Sequence, residues 1–584
     1  MDQNGDQKIC DVIVVGSGAT GGVAAKELSE QGLSVLVLEA GRSIEPKDLA
    51  NGAIAMAKRL YNLGTKRQSF QALHPGYWKA NPDLFVNEQE NPYTTPDDKS
   101  FSWVRGRQVG GKSLTWGGIT LRLSDYEFKA ASRDGHGQDW PISYCDLAPY
   151  YDRLEQFFGV QGACDDLPQL PNGHYQSSAA FTPAEIQFKA SMERAIASSQ
   201  SSSPFSSQSS PEPFSLHTPR MIISRGFPLH RPTRDRPWPR SSSLGSSLQA
   251  ALATGRVTVQ SDAIVSHLTF DPETRRATGV TYVDRVTHQR HTVKSRVVML
   301  CASAIESVRI LLHSTAIYQP GGLANQSGLL GRYLMDHIST SRFFVMPGLE
   351  SPKEAPELSG SDSFFIPRFC NLTCQDQSFL RGYGLWGGIQ RFGIPAALQR
   401  IKGAIGFLIG HGEVLPQYHN HVRLNPAVVD AWGIPAAHID CEWSDNELAM
   451  ARHIHQSIET LIQQAGGQCL GLTDLFYVPL IAQYVQQMQD VMAVAAPPGY
   501  YIHEVGGACM GTSSRTSVVN AHNQCWDAPN VFVTDGACWT SSGWQSPTLT
   551  SMALTARASD FIVRQLRHRA VAVRKSEIGD PGTS

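Results

Sequence analysis

The chain is poor in charge and has no surplus of either sign. Only 17% of its 584 residues are charged, and 50 Lys and Arg face 52 Asp and Glu, a formal net charge of −2. That balance argues against a nucleic-acid binder, which needs a basic face for phosphates. Long apolar runs are also missing, and none approaches the ~18 residues of a transmembrane helix. The 11 cysteines, scattered from Cys10 to Cys538, are an odd number without framework spacing, so they read as reduced thiols. The N-terminus lacks the basic start and apolar stretch of a secretory signal. The C-terminal Asp-Pro-Gly-Thr-Ser is neither a prenylation nor a peroxisomal tail. These absences place the expectation in the cytoplasm. Metal chemistry has little support: His419 and His421, His453 and His455, and the pair Cys370 and Cys374 have no ligand-like partners nearby in the sequence. There is no Gly-x-Ser-x-Gly elbow and no haem-binding Cys-x-x-Cys-His.

What the chain has is glycine, 51 residues of it, and 41% apolar residues, enough length to bury a core without staples. Ile9 to Val15 is a short β-branched run with the look of a buried parallel strand. It leads into Gly16-Ser-Gly-Ala-Thr-Gly21, then a helical pattern, then a second strand from Ser34 to Leu38 that ends on Glu39. Strand, glycine turn, helix, strand and acid together form the dinucleotide-binding context. Gly16 permits the tight turn, Gly18 lets backbone approach a pyrophosphate, and Gly21 lets helix and strand pack closely. The helix N-terminus offers N–H groups to phosphate, and Glu39 would accept from ribose hydroxyls. Gly382-Tyr-Gly-Leu-Trp-Gly387 has the same spacing but follows a polar stretch and precedes no helix. It reads as a glycine-rich strand or bend.

The later motifs narrow the cofactor. Trp103-Val-Arg-Gly-Arg-Gln-Val-Gly-Gly-Lys-Ser-Leu-Thr-Trp-Gly-Gly118 resembles the second signature of the glucose–methanol–choline (GMC) flavin oxidoreductases. Cys301-Ala-Ser-Ala-Ile-Glu-Ser-Val-Arg-Ile-Leu-Leu312, Gly331-Arg-Tyr-Leu-Met-Asp-His337, His503-Glu-Val-Gly-Gly-Ala-Cys-Met-Gly511 and Asn530-Val-Phe-Val-Thr-Asp-Gly536 follow in family order. The variant is most like the gluconate dehydrogenase and pyranose oxidase branch. The resemblance implies an α/β fold, α+β overall. A Rossmann-type FAD-binding domain, discontinuous in sequence, would comprise 8–344 with 496–570. A substrate domain on an antiparallel sheet would occupy 345–495. A Ser-rich stretch, 198–212, is expected to be a mobile surface loop.

Position within these motifs also implies contacts. Gly16, Gly18, Thr20 and Gly21 would line the pyrophosphate, with Glu39 on the ribose. Gly110, Gly111, Ser113 and Thr115 would follow the ribityl and isoalloxazine side, and Val265 would meet adenine. Asp535 and Gly536 would reach the ribityl–phosphate region, and Thr548 would approach the flavin from the last helix. Pyranose oxidase carries a covalent flavin link on a histidine where this chain has Thr115, so non-covalent FAD is expected. His503 stands where the family keeps its catalytic base for hydride transfer from an alcohol to flavin N5. Histidine suits that task because its pKa lies near neutrality.

The family's second catalytic group is commonly Asn or His, whereas this chain has Ser546 in Gln545-Ser-Pro-Thr548. Ser546 would be the N-cap of the last helix, with proline at its first position. Its hydroxyl cannot reproduce an amide's paired donor and acceptor. Water or Gln545 could fill the gap, the substrate could be unusual, or ordinary alcohol oxidation could be impaired. A non-oxidative flavoprotein, a lyase or cyclase, is the alternative that Ser546 raises. Trp539, Trp544 and Trp116 are either candidate pocket walls or ordinary core aromatics. Lys112 could set a positive charge near the flavin or be solvated. The substrate would be a small-molecule alcohol: a polyol, a sugar or a secondary metabolite. The electron acceptor stays open between oxygen, a quinone and a redox partner.

Overall fold

The computed structural model describes residues 9–178, 180–201, 218–227, 237–315, 321–349, 363–391, 401–471, 474, 482–492 and 495–578. Two sheets organise them. The first strand, Cys10–Val15, has its last four residues fully or nearly fully buried, as its β-branched run requires. It pairs in parallel with Val35–Leu38 on one side and with Arg290–Leu300 on the other. The first sheet runs in the order Val257–Gln260, Val35–Leu38, Cys10–Val15, Arg290–Leu300, Arg276–Asp284, Ala263–Asp271, and Val531–Val533 pairs with Arg290–Leu300 in parallel. The last pairing returns the C-terminal block to the middle of the sheet. Helix Ala19–Glu30 covers it, and Ala24 and Leu28 share a core with Ala558 and Ile562 of the last helix.

The second sheet is antiparallel, in the order Gln468–Leu470, Ile338–Met346, Ala404–Gly412, Tyr383–Ile389, Phe364–Ile366, Ile222–Ile223. Helix Asp445–Gln464 packs on it, started by a Ser444–Glu447 capping box. Glycines set that contact: a Cβ on Gly410 would lie 2.0 Å from Ile454, and one on Gly412 would lie 2.3 Å from Met450. The Gly382–Gly387 stretch, read as a strand or bend, is strand from Tyr383 onward, and Gly384 leaves room for the Trp544 ring.

Several expectations shift. The second sheet takes Ile222–Ile223 and the start of Ile338–Met346 from outside 345–495, so the 344/345 boundary cuts through a strand. Helix Pro183–Ser201 covers the first residues of the Ser-rich stretch, which are therefore helical rather than loop; 202–212 lie outside the described residues. The last helix begins at Thr548, and Pro547 accepts its first bond, from the Ser551 N–H at 2.9 Å. Proline rather than Ser546 is thus the N-cap, because the serine falls one residue too early. All 11 cysteines are free thiols. Among the described residues no helix is long and apolar enough to cross a membrane.

The chain passes between the sheets at 335–338. Met335 and Val505 exchange backbone bonds at 2.8 and 2.9 Å, and Ile338 opens the second sheet. Asp336 and His337 therefore sit at the junction, beside the segment that carries His503.

Candidate active site

The glycine turn forms the floor of a cradle. Gly16 has φ +97°, a conformation that a side chain would strain, and a Cβ on it would lie 2.5 Å from the Cys301 carbonyl oxygen. Gly21 touches the Gly16 carbonyl so closely that a Cβ would fall 1.9 Å from its oxygen. A Cβ on Gly18 would meet nothing within 4 Å, so this glycine faces open space. Gly18 is also the N-cap of Ala19–Glu30, with no side-chain cap and no acid in the first turn. The positive end of that helix is left to an anion. Thr20 lies buried in the same turn.

A serine network ties this turn to the second glycine segment. The Gly110 N–H donates to Ser17 Oγ at 3.0 Å, and Ser17 Oγ donates to Glu39 Oε2 at 2.6 Å. Ser113 donates to the Gly110 carbonyl at 2.5 Å and accepts from the Ser243 N–H, while Ser243 Oγ donates to the Ser17 carbonyl. Gly111 stands against Gly18, where its Cβ would lie 3.4 Å from the Gly18 Cα. Glu39 also accepts from the N–H groups of Ser17 and Gly41; burial raises its pKa despite these bonds. Among the described residues Glu39 Oε1 takes only the Gly41 bond, leaving capacity for a ribose hydroxyl. Thr115 donates to the Lys112 carbonyl, and the Val265 carbonyl accepts from Arg309. Asp535 accepts from Ser307 Oγ and the Ala537 N–H, and burial pushes its pKa up to about 6. Gly536 must lack a side chain, since a Cβ would lie 2.6 Å from the Glu504 carbonyl oxygen. Open floor, free helix N-terminus and ribose-capable acid are what FAD requires of such a cradle.

His503 stands at the edge of this cradle, partly exposed. Its Nδ1 lies 2.8 Å from Nδ1 of His337, whose Nε2 lies 2.8 Å from the Gly543 carbonyl oxygen. Tyr501 packs edge-on against His503, with centroids 4.7 Å apart, and stacks on the fully buried His411. Desolvation first, then His337, His411 and Lys112, hold the His503 pKa well below its ordinary value. The next residue, Glu504, takes Lys112 in an ion pair at 3.0 Å, so Lys112 is a paired charge whose side chain is still partly exposed.

The segment around Ser546 differs from expectation in its side chains. Trp539 is fully buried against Trp140, its Nε1 donating to Ser551 Oγ, and is a core aromatic instead of a pocket wall. Trp544 is equally buried and fills the space over Gly384. Trp116 is partly buried, its Nε1 donating to the Ser241 carbonyl. Gln545 is fully buried, with Oε1 accepting from the Trp544 N–H and Nε2 donating to the Gln169 carbonyl. Both ends of its amide thus make hydrogen bonds within the fold. Ser17, Ser243, Asp336, His337 and Tyr501 went unassigned from sequence. Asp336 and His337 had a signal as the last two residues of the Gly331–His337 block, and Ser17 as a member of the Gly16–Gly21 turn.

Comparison with known proteins agrees with this geometry. The chain matches the FAD binding domain family over residues 11–85 and the GMC oxidoreductase family over 233–339 and 416–555. It is 27% identical to 2-methyl-1,2-propanediol dehydrogenase of Mycolicibacterium austroafricanum, over 97% of each chain. It is 26% identical to the fructose dehydrogenase large subunit of Gluconobacter japonicus, over 95% of this chain and 98% of that one. A solved formate oxidase from Aspergillus oryzae, a variant made to study FAD modification, superposes with a TM-score of 0.62 at 15% identity, covering 97% of this chain and 100% of that one. With the glycine cradle, the histidine block at its edge and matches in both halves of the fold, the chain belongs to the GMC oxidoreductases, FAD-dependent enzymes that act on CH–OH groups.

Proposed function

We propose that this enzyme oxidises a primary or secondary alcohol, on a polyol, sugar or secondary metabolite, to the carbonyl, with His503 as the base. The observation that carries the reading is the position of His503: partly exposed, at the edge of the cofactor cradle, and neutral near pH 7 because its surroundings disfavour the cation. Flavin, when bound, supplies the hydride acceptor. The protein's part is to take the hydroxyl proton while the carbinol hydride departs, so that a C–H and an O–H bond break and a C=O bond forms. The cradle residues Gly16, Gly18, Thr20, Gly21, Glu39, Gly110, Gly111, Ser113, Thr115, Val265, Asp535, Gly536 and Thr548 would hold FAD, without a covalent link at Thr115. Ser546, buried beside the last helix, is the second polar group we assign to the site.

We assign 8–344 with 496–570 to cofactor binding and 345–495 to the substrate side, which borrows strands from the former. The free thiols suit a cytoplasmic setting. The dehydrogenase and fructose dehydrogenase relatives support alcohol oxidation; the acceptor that reoxidises the enzyme is left to experiment. His503→Ala tests the base directly. Anaerobic bleaching of the bound flavin by substrate should slow by about 10²–10⁴-fold, the usual contribution of a general base. Bleaching at the parent rate sinks the assignment.

A further inference from the structure

We propose that Asp336 and His337 are positioning residues that jointly set the backbone and the ring tautomer of His503, making Nε2 its basic nitrogen. The inference rests on the reading of His503 as the base, and deepens it.

The tautomer follows from donor and acceptor accounting. A carbonyl oxygen only accepts, so the 2.8 Å contact to Gly543 places a hydrogen on His337 Nε2. A neutral imidazole carries one N–H, which leaves His337 Nδ1 with a bare lone pair. Burial keeps His337 neutral, its pKa pushed down to about 4. The 2.8 Å approach of the two Nδ1 atoms then needs a hydrogen from the other ring. That hydrogen sits on His503 Nδ1, and neutral His503 has its lone pair on Nε2. The opposite arrangement would set two lone pairs against each other at the same distance.

The backbone is held from the neighbouring residue. Ile502 has φ +63°, a left-handed conformation that β-branched residues rarely adopt. Asp336 spans it, with Oδ2 accepting from the Tyr501 N–H at 3.2 Å and Oδ1 from the His503 N–H at 2.9 Å. Such strain persists only where the surroundings over-determine it. Here the fully buried carboxylate and the paired backbones of Met335 and Val505 do so. Two consecutive residues thus fix one histidine, one through its chain and the other through its ring.

Nitrogen-15 NMR of the holoenzyme labelled at histidine, with His503 assigned by its loss in His503→Gln, reads the tautomer without turnover. The expected spectrum has a protonated Nδ1 and an unprotonated Nε2 at pH 7.5; a protonated Nε2 overturns the proposal. A parallel arm compares anaerobic flavin reduction in His337→Leu and His337→Gln, the glutamine amide having an acceptor and a donor in comparable places. Leucine should slow the limiting rate by at least about a hundredfold with flavin content and substrate half-saturation little changed. Glutamine should recover at least about tenfold of that loss. Leucine acting at the parent rate, or glutamine falling as far as leucine, overturns the proposal. If leucine prevents folding, the parent spectrum still decides. An Nδ1–H tautomer combined with normal bleaching by His503→Ala would refute the base and leave the positioning intact.

Discussion

Desolvation first, and then His337, His411 and Lys112, hold His503 well below the ordinary histidine range. Asp336 and Glu504 are the nearby acids: Asp336 is spent on backbone N–H groups and Glu504 on Lys112. A base acts when unprotonated, so depression extends activity toward acid. Flavin reduction should stay flat as pH falls through the ordinary value near 6.5; an inflection at 6.5 in a stopped-flow pH series would contradict this. Ser546→Ala should slow reduction by less than about tenfold, well short of the loss expected for a missing base. At this scale the sequence was informative where a residue's role is local. Gly16, Gly18 and Gly21 act within one turn. His337 could not be assigned, because its partner lies 166 residues away. Trp539 and Trp544 carried only a residue type, which does not separate a core aromatic from a pocket wall.

Among the elements, the glycine turn allows a sharp comparison. Gly21→Ala would press a methyl into the Gly16 carbonyl, and overpacking of this kind costs about 1–3 kcal/mol. Gly18→Ala meets nothing in the protein and should cost about 1 kcal/mol or less as an N-cap change, yet it should weaken flavin retention because the methyl enters the cradle. Thermal melts of apoprotein alongside flavin titrations separate the two; equal destabilisation would refute the cradle. The 335–337 crossing makes a further expectation. His337 is protonated in the unfolded chain below about 6.5 but in the folded one only near 4, so stability is lost as pH falls through that window. Asp336 acts with opposite sign, since burial and then Glu504 push its folded pKa up to about 7; it favours the fold toward acid. Asp336→Asn should therefore lose more stability than the parent between pH 7 and pH 4, measured by chemical denaturation; parallel curves would count against it. The βαβ unit was legible because its pattern is continuous. The edge of the second sheet was not, because Ile222–Ile223 is two residues long and pairs with residues 364–365.

Across the whole molecule, the first sheet and the C-terminal block build the cradle, and the second sheet closes against it where 335–338 meets 501–505. That closure sets His503 at the junction of the two sheets and brings motifs spread along the chain together, as the proposed site requires. Fold class and cofactor could be read from those motifs in order; the substrate wall could not, since candidates such as Trp539 and Trp544 are fully buried in packing. Acid denaturation should release the flavin into the supernatant, and a coloured pellet would refute non-covalent binding. The most direct measurement is an anaerobic screen of alcohols against the holoenzyme, following flavin absorbance and product together. Alcohol oxidation requires a substrate that bleaches the flavin with one carbonyl formed per flavin reduced. An alcohol turned over to product with no change in the flavin spectrum would contradict it.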